Sequence, residues 1–253
     1  MSGAPSLDGR GGPARRLQTA ARAPEDQPPP DLPEAEPLDR LPSRLRLGAE
    51  FAVLFVGLPL GLAFGLPPSI MWTLLACSFV LGLGLLAFTP GFRFAEFLRG
   101  PLSPGLWTAP AFALGAGAAI YLLTLALLPQ ALFWMPVAMP DLWLMILLFY
   151  PILSALPQEA VFRVLFFRRY GALFPSKAAA VSTNAFVFAL AHLFLWNWVA
   201  LLLTAAGGAI FSLAYLHGHG RNFWFPVLLH AIAGWLIFTI GLGRFFYHGA
   251  VPV

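Results

Sequence analysis

The chain has 253 residues, of which 59% are hydrophobic and only 10% are charged. Soluble domains have about 45–50% and 25% of these residue types, so a water-soluble fold of this length could not hide so much apolar surface. The formal net charge of +4 does not indicate a nucleic-acid partner, because the basic residues lie scattered at the edges of apolar blocks. Composition predicts an integral membrane protein whose surroundings are the lipid bilayer, with no nucleic acid bound.

The first 47 residues differ from the rest of the chain. They contain a run of three prolines at 28–30, seven of the 15 Lys and Arg residues, and seven of the 11 Asp and Glu residues. Few large apolar side chains accompany them, so burial cannot offset the entropy cost of ordering this segment. Residues 1–47 are predicted to be a disordered Pro/Arg-rich cytoplasmic tail, and residues 48–253 a transmembrane helical domain.

Apolar blocks follow the tail at regular intervals. A helix needs about 20 apolar residues to span the hydrocarbon core of a bilayer. The blocks lie at about 50–66, 69–89, 108–128, 141–167, 178–196, 199–216 and 223–243. They predict an all-α polytopic bundle of about seven helices. An eighth stays open, because Pro151 and Pro157 could divide the fourth block into a broken helix.

Lys and Arg residues lie before the first block and then in every other connection between blocks. The other connections, at 67–68, 129–140 and 197–198, carry neither residue. Cytoplasmic loops carry the excess of positive charge, so the pattern places the N-terminus in the cytoplasm. The Ala/Arg/Pro/Gly-rich composition favours a bacterial inner membrane.

Four ionisable residues lie within apolar blocks: Glu159, Arg163, His192 and His230. Such residues are costly in a bilayer, so each is a candidate for a functional site. At ~1.5 Å of helical rise per residue, the carboxylate and both imidazoles lie at comparable depths and could share one pocket. Glu159 and Arg163 share a helix face, and a purely structural ion pair is an equal alternative for these two residues.

One carboxylate and two imidazoles can form a hydrolytic site. Glu159 would take a proton from water, while His192, His230 and Asn184 would donate to the developing oxyanion. Asn184, Phe188 and His192 recur at intervals of four and share one helix face. The same residues could hold zinc or iron, although the spacing is not that of an HExxH helix. We expect no cofactor, with a divalent metal such as zinc left open.

Three short motifs resemble those of one protein family. Residues 157–163, PQEAVFR, resemble the EExxxR motif of the CAAX prenyl protease and bacteriocin-processing family of intramembrane proteases. Residues 188–192 match its FxxxH motif, and His230 falls where its HxxxN or HxxxD motif is expected. The order of the motifs places a protease-like core at about 141–243. The resemblance implies a helical membrane protease in which a glutamate activates water; family members cut prenylated proteins, process bacteriocins or confer immunity to them.

The resemblance assigns the second glutamate, the arginine and the two histidines of the motifs to Glu159, Arg163, His192 and His230. Two positions depart from the pattern. Gln158 replaces the first glutamate, which looks like the general base in eukaryotic CAAX prenyl proteases, and a glutamine cannot take up a proton. Gly234 replaces the final amide or acid, a loss for which Asn184 could compensate.

The sequence therefore predicts a glutamic-type intramembrane endopeptidase that cuts a membrane-anchored or prenylated peptide or protein. Its predicted catalytic residues are Glu159, His192 and His230, supported by Gln158, Arg163, Asn184 and Phe188. One alternative is an inactive relative that binds a peptide or lipid, such as an immunity protein. Another is a small proton-coupled transporter, although no repeat of the Glu/Arg block is visible in the first half of the chain.

Overall fold

A computed structural model describes residues 42–217 and 221–246. Most of the predicted tail lies outside these residues, so its disorder stays a prediction. The first helix begins at Arg44, inside the last residues assigned to the tail, and Ser43 caps it by accepting a hydrogen bond from the Arg46 N–H. Helices and turns, with no strand, make up the described part of the chain, which confirms the all-α class.

Seven apolar helices coincide with the seven predicted blocks. They are α1 (Arg44–Phe64), α2 (Met71–Ala87), α3 (Thr108–Leu127), α4 (Pro140–Leu173), α5 (Lys177–Leu190), α6 (Trp198–Tyr215) and α7 (Trp224–Ile240). A short helix, Trp134–Ala138, lies between α3 and α4. Among the described residues, five segments are long and apolar enough to cross a membrane, counting α5 with the turn that continues it to Leu195, while α2 and α7 have 17 residues each.

Helix α4 runs without a break through both of its internal prolines. Its hydrogen bonding widens to the π-helical pattern at Pro151–Ala155 and again at Ala160–Tyr170. A shift from i→i−4 to i→i−5 bonds accommodates a proline, which has no N–H to donate, without ending the helix. The fourth block is therefore one 34-residue helix, so the division that would have produced an eighth is not found. π-helical turns are rare in proteins overall, but those that occur are often at functional sites. Glu159 lies between the two π-helical segments of α4.

The bundle is apolar on its outside and polar at its centre. Large apolar side chains on the outer faces are exposed, among them Val80, Leu114, Leu122 and Leu148. The side chains of Glu159, Arg163, Asn184 and Ser212 are 0% exposed. A broad apolar exterior around a charged interior suits lipid as the surrounding solvent. The fold is that of an integral membrane protein.

Helix packing brings four helices together around these polar side chains. Helices α5 and α6 approach closely, since a Cβ added to Gly208 would lie 2.8 Å from the Ala185 Cα. Helix α7 packs against α3, α4 and α6. The polar residues of α4, α5, α6 and α7 therefore face one another inside the bundle.

The charged ends of the helices lie together at one end of the bundle. The Glu50 carboxylate accepts two hydrogen bonds from the Arg169 guanidinium, at 2.7 and 3.1 Å. Glu96 forms ion pairs with Arg168 at 2.9 Å and with Arg221 at 3.9 Å. These contacts link helix ends and loops that the charge pattern placed on one side of the membrane. That this side is the cytoplasm stays a prediction.

Candidate active site

Glu159 and His230 form a buried carboxylate–imidazole pair between α4 and α7. The distance from Glu159 Oε1 to His230 Nδ1 is 2.8 Å, and the two residues are 0% and 5% exposed. A carboxylate can only accept, so Nδ1 donates, and when the ring is neutral Nε2 is the unprotonated nitrogen. An imidazole oriented in this way by a carboxylate can act as a general base.

Arg163 balances the charge of the same carboxylate. Its Nε lies 3.1 Å from Glu159 Oε2, and both side chains are fully buried. The guanidinium lies over the Phe188 ring, 4.9 Å from its centroid, and 5.7 Å from the Phe211 centroid. The predicted pairing of Glu159 with Arg163 is therefore present, and the carboxylate bridges a guanidinium and an imidazole. Pairing of this kind lowers the cost of burying the two charges.

Asn184 is bound to Arg163 and to the backbone. Its Nδ2 donates to the Phe162 carbonyl, and its Oδ1 accepts from Arg163 and, at 2.9 Å, from Ser212 Oγ. This differs from the interpretation in which the Asn184 amide faces an oxyanion. The contacts favour a role in holding the Arg163 guanidinium. Sequence reasoning missed Ser212, since a serine in an apolar helix commonly bonds the carbonyl four residues back. Here its single hydroxyl proton is shared between the Gly208 carbonyl, at 2.7 Å, and Asn184 Oδ1.

His192 lies just beyond α5 and is partly exposed. Its Nδ1 lies 2.8 Å from the Phe188 carbonyl oxygen, so Nδ1 carries the proton, and the Nε2 of a neutral ring is an acceptor. The His192 and His230 rings both pack against the Phe188 ring, with centroid separations of 5.0 and 5.6 Å. Phe188 thus lies between the two predicted catalytic histidines.

A cavity of about 540 Å³ opens beside these residues. Its lining is mostly apolar and comes largely from α1, α2 and α4, with polar groups supplied by Tyr150, Ser154, Gln158 and His192 among others. The Gln158 Nε2 donates to Ser154 Oγ at 2.9 Å, and its buried Oε1 has no hydrogen-bond partner within the described part of the chain. Of the polar motif residues, Gln158 and His192 therefore line the cavity wall.

Glu159, Arg163 and His230 form a second layer behind that wall. The residues that line the cavity in the described ranges do not include Glu159, Arg163 or His230. The structure thus brings Glu159, Arg163 and His230 into direct contact, but it separates this group from the cavity-facing Gln158 and His192.

Gly234 lies one helical turn beyond His230 and faces Tyr150. A Cβ built on Gly234 would overlap three atoms of the Tyr150 ring. The ring therefore occupies the space where the family pattern has an amide or acid side chain. Sequence reasoning missed Tyr150, because an aromatic residue in an apolar block is ordinarily a packing residue.

The arrangement of possible metal-ligand side chains around Glu159 does not favour a metal centre. Within 42–217 and 221–246, no group of three or more His, Cys, Asp or Glu side chains is placed to hold a metal ion. Of the three side chains that the metal alternative requires, Glu159 is already engaged by Arg163 and by the His230 Nδ1 proton.

Fold and site together define a polytopic membrane protein with a buried carboxylate–imidazole–guanidinium group beside an apolar cavity. Residues 140–236, from the start of α4 into α7, match the family model described as type II CAAX prenyl endopeptidase Rce1-like. The family resemblance is confirmed over this segment, and at the level of the family the match supports a CAAX-type endopeptidase. No curated protein and no solved structure matches the chain significantly.

Proposed function

We propose that the protein is a membrane-embedded endopeptidase in which the Glu159–His230 pair activates the attacking water. The observation that carries this proposal is the 2.8 Å contact between Glu159 Oε1 and His230 Nδ1. Gln158, which lines the cavity in place of the family's first glutamate, cannot take up a proton. Glu159 and His230 both lie behind the cavity wall, so the proposed reaction requires the attacking water to pass the wall and reach His230 Nε2. Glu159 orients this base and is not itself the base.

In the proposed reaction, a water transfers one proton to His230 Nε2 as its oxygen attacks the peptide carbonyl. Glu159 stabilises the imidazolium that forms, and His230 then gives the proton to the leaving amine as the carbon–nitrogen bond breaks. His192 lines the cavity on the other side of the Phe188 ring, where the acceptor of its neutral ring orients the substrate. We propose this role in place of the predicted oxyanion donation, because the unprotonated Nε2 of a neutral ring has no proton to donate.

The lining of the cavity supports a substrate with an apolar anchor. Apolar side chains of α1, α2 and α4 form most of the wall, and the polar groups are few. Ligand sites of this composition bury apolar groups and use a few polar contacts for orientation. We propose a membrane-anchored peptide or protein as substrate, with a prenylated peptide as the first candidate.

An inactive relative that binds a peptide or lipid is the second candidate. Gln158 at the cavity wall favours it, because the position that carries the family's presumed base has no carboxylate. The complete burial and neutralisation of Glu159 by Arg163 are also what a purely structural ion pair would show.

Cleavage of prenylated and non-prenylated CAAX-type peptides by the purified protein in lipid nanodiscs separates the two candidates. We expect cleavage by the wild type, its loss in His230→Gln, a strong reduction in His192→Ala, and no effect of a chelator. All variants are compared at temperatures equally far below their own midpoints of unfolding. Peptide binding of equal affinity in all three proteins, without cleavage by any, would establish the inactive relative instead.

We also propose that the protein lies in a bacterial inner membrane with its N-terminus, including the tail 1–47, in the cytoplasm. The gathering of Arg168, Arg169 and Arg221 at one end of the bundle supports this orientation. An N-terminal epitope should resist added protease in intact spheroplasts and be cut in inverted inner-membrane vesicles. The opposite result would reverse the orientation.

A further inference from the structure

We propose that the Tyr150 hydroxyl takes the place of the side chain missing at Gly234 and donates a hydrogen bond to the scissile carbonyl oxygen. This inference rests on the proposed function and adds a residue outside the three motifs. The negative charge that develops on that oxygen needs a donor, and Asn184 is held by Arg163, Ser212 and the backbone.

The first observation is the steric complementarity of Tyr150 and Gly234. Any side chain at 234 would overlap the Tyr150 ring, so only glycine leaves room for the tyrosine in this position. The ring is held between His230 and Phe238, with centroid separations of 5.9 and 6.0 Å and edge-to-face geometry. The ring of Tyr150 thus lies against the proposed base and beside the cavity.

The second observation is the polar chain along the cavity face of α4. Tyr150, Ser154 and Gln158 follow one another at intervals of four and all line the cavity. Gln158 donates to Ser154 Oγ at 2.9 Å, and Tyr150 lies one turn before Ser154 on the same face of the helix. Because Ser154 Oγ accepts from Gln158, its own proton is available to the phenol oxygen one turn away, and the phenol proton is then free to donate into the cavity.

The chemistry requires no transfer of the phenol proton. As the water oxygen bonds to the carbonyl carbon, the π electrons move to the carbonyl oxygen and one water proton moves to His230. The phenol keeps its own proton and stabilises the oxyanion through a hydrogen bond. Removal of one donor of this kind lowers kcat by about 10²–10³-fold.

Tyr150→Phe tests the hydroxyl, because it keeps the ring and removes only the oxygen. We expect kcat for the peptide cleaved by the wild type to fall by about 10²–10³-fold with little change in KM. Tyr121→Phe is the matched control, since Tyr121 lies on α3 and is 40% exposed on the outer surface. It should leave kcat unchanged.

A second pair of variants tests the packing by adding a side chain at position 234 and removing the ring at position 150. Gly234→Asn alone should lower the midpoint of thermal unfolding, because the asparagine overlaps Tyr150. The double variant Gly234→Asn/Tyr150→Ala should regain stability, and its kcat should exceed that of Tyr150→Ala, since the asparagine supplies an amide donor.

Wild-type kcat in Tyr150→Phe, or no gain in kcat on adding Gly234→Asn to Tyr150→Ala, would overturn this inference while the proposed function stands. A wild type that cleaves none of the peptides overturns the proposed function, and this inference with it.

Discussion

Replacing Glu159 by glutamine separates the two roles that the structure gives this carboxylate. Glutamine has nearly the same shape, so the change removes a charge and leaves the packing of α4 intact. Arg163 then stays fully buried without its anionic partner, and the single amide oxygen can accept from either Arg163 Nε or His230 Nδ1 but not from both, so His230 loses its negatively charged partner. The variant is therefore expected to lose both stability and activity.

The magnitudes follow from these two contacts. Removing one partner of a buried ion pair costs about 3–5 kcal/mol, because the remaining charge is uncompensated. For a chain of this size, that corresponds to a fall of roughly 6–20 °C in the midpoint of thermal unfolding. Replacing the carboxylate partner of a catalytic histidine by an amide costs about 10⁴-fold in kcat in the serine-protease triad, and we expect a loss of that order here.

A double variant distinguishes the two losses. In Glu159→Gln/Arg163→Met the unpaired charge is removed as well, and Asn184 Oδ1 retains its hydrogen bond from Ser212. We expect its midpoint of unfolding in lipid nanodiscs to recover to within a few degrees of the wild type, because neutral replacement of a buried pair is often tolerated. Peptide cleavage by the double variant should stay as low as in Glu159→Gln.

Recovery of cleavage together with stability would refute the reasoning, since it would make Glu159 a structural residue only. A double variant no more stable than Glu159→Gln would show that the ion pair does not decide the stability of this region. Either result is read against the wild type and against Arg163→Met alone.

Three further predictions concern neighbouring contacts. Gln158→Ala should lower kcat far less than Glu159→Gln does, because Gln158 takes no proton; loss of all cleavage at full stability would make it essential to the reaction. Glu50→Gln should lower the free energy of unfolding by about 3 kcal/mol, because buried Arg169 loses its anionic partner; denaturation monitored by circular dichroism checks this, and an unchanged midpoint contradicts it. Gly208→Ala should cost about 1–3 kcal/mol by overpacking α5 against α6, whereas Gly115→Ala, with no atom within 4 Å of its added Cβ, should be neutral or stabilising in the same assay.

Some features of the site were visible in the sequence because they depend on local pattern alone. Glu159 and Arg163 lie four residues apart in a helical block, so their pairing follows from helix geometry. His192 and His230 stand out because ionisable residues are rare in apolar segments. The separation of the polar groups into two layers was not visible. Gln158 and Glu159 are adjacent and point about 100° apart on a helix, and the neighbouring helices decide which one faces the cavity.

The steric fit between Tyr150 and Gly234 was likewise not visible in the sequence. Each residue is unremarkable by itself, and their complementarity arises only when α4 and α7 pack together. Asn184 is similar, because its helix face was predictable but its hydrogen-bond partners on α4 and α6 were not.

By itself the sequence determined the membrane environment, the seven apolar helices and the small set of buried ionisable groups, because hydrophobicity, block length and the rarity of charge in lipid are local properties. The tertiary structure decided which of those groups touch, which line the cavity and which neighbour fills the space beside Gly234. These outcomes depend on the rotation and spacing of whole helices, which the packing of every neighbouring helix sets together.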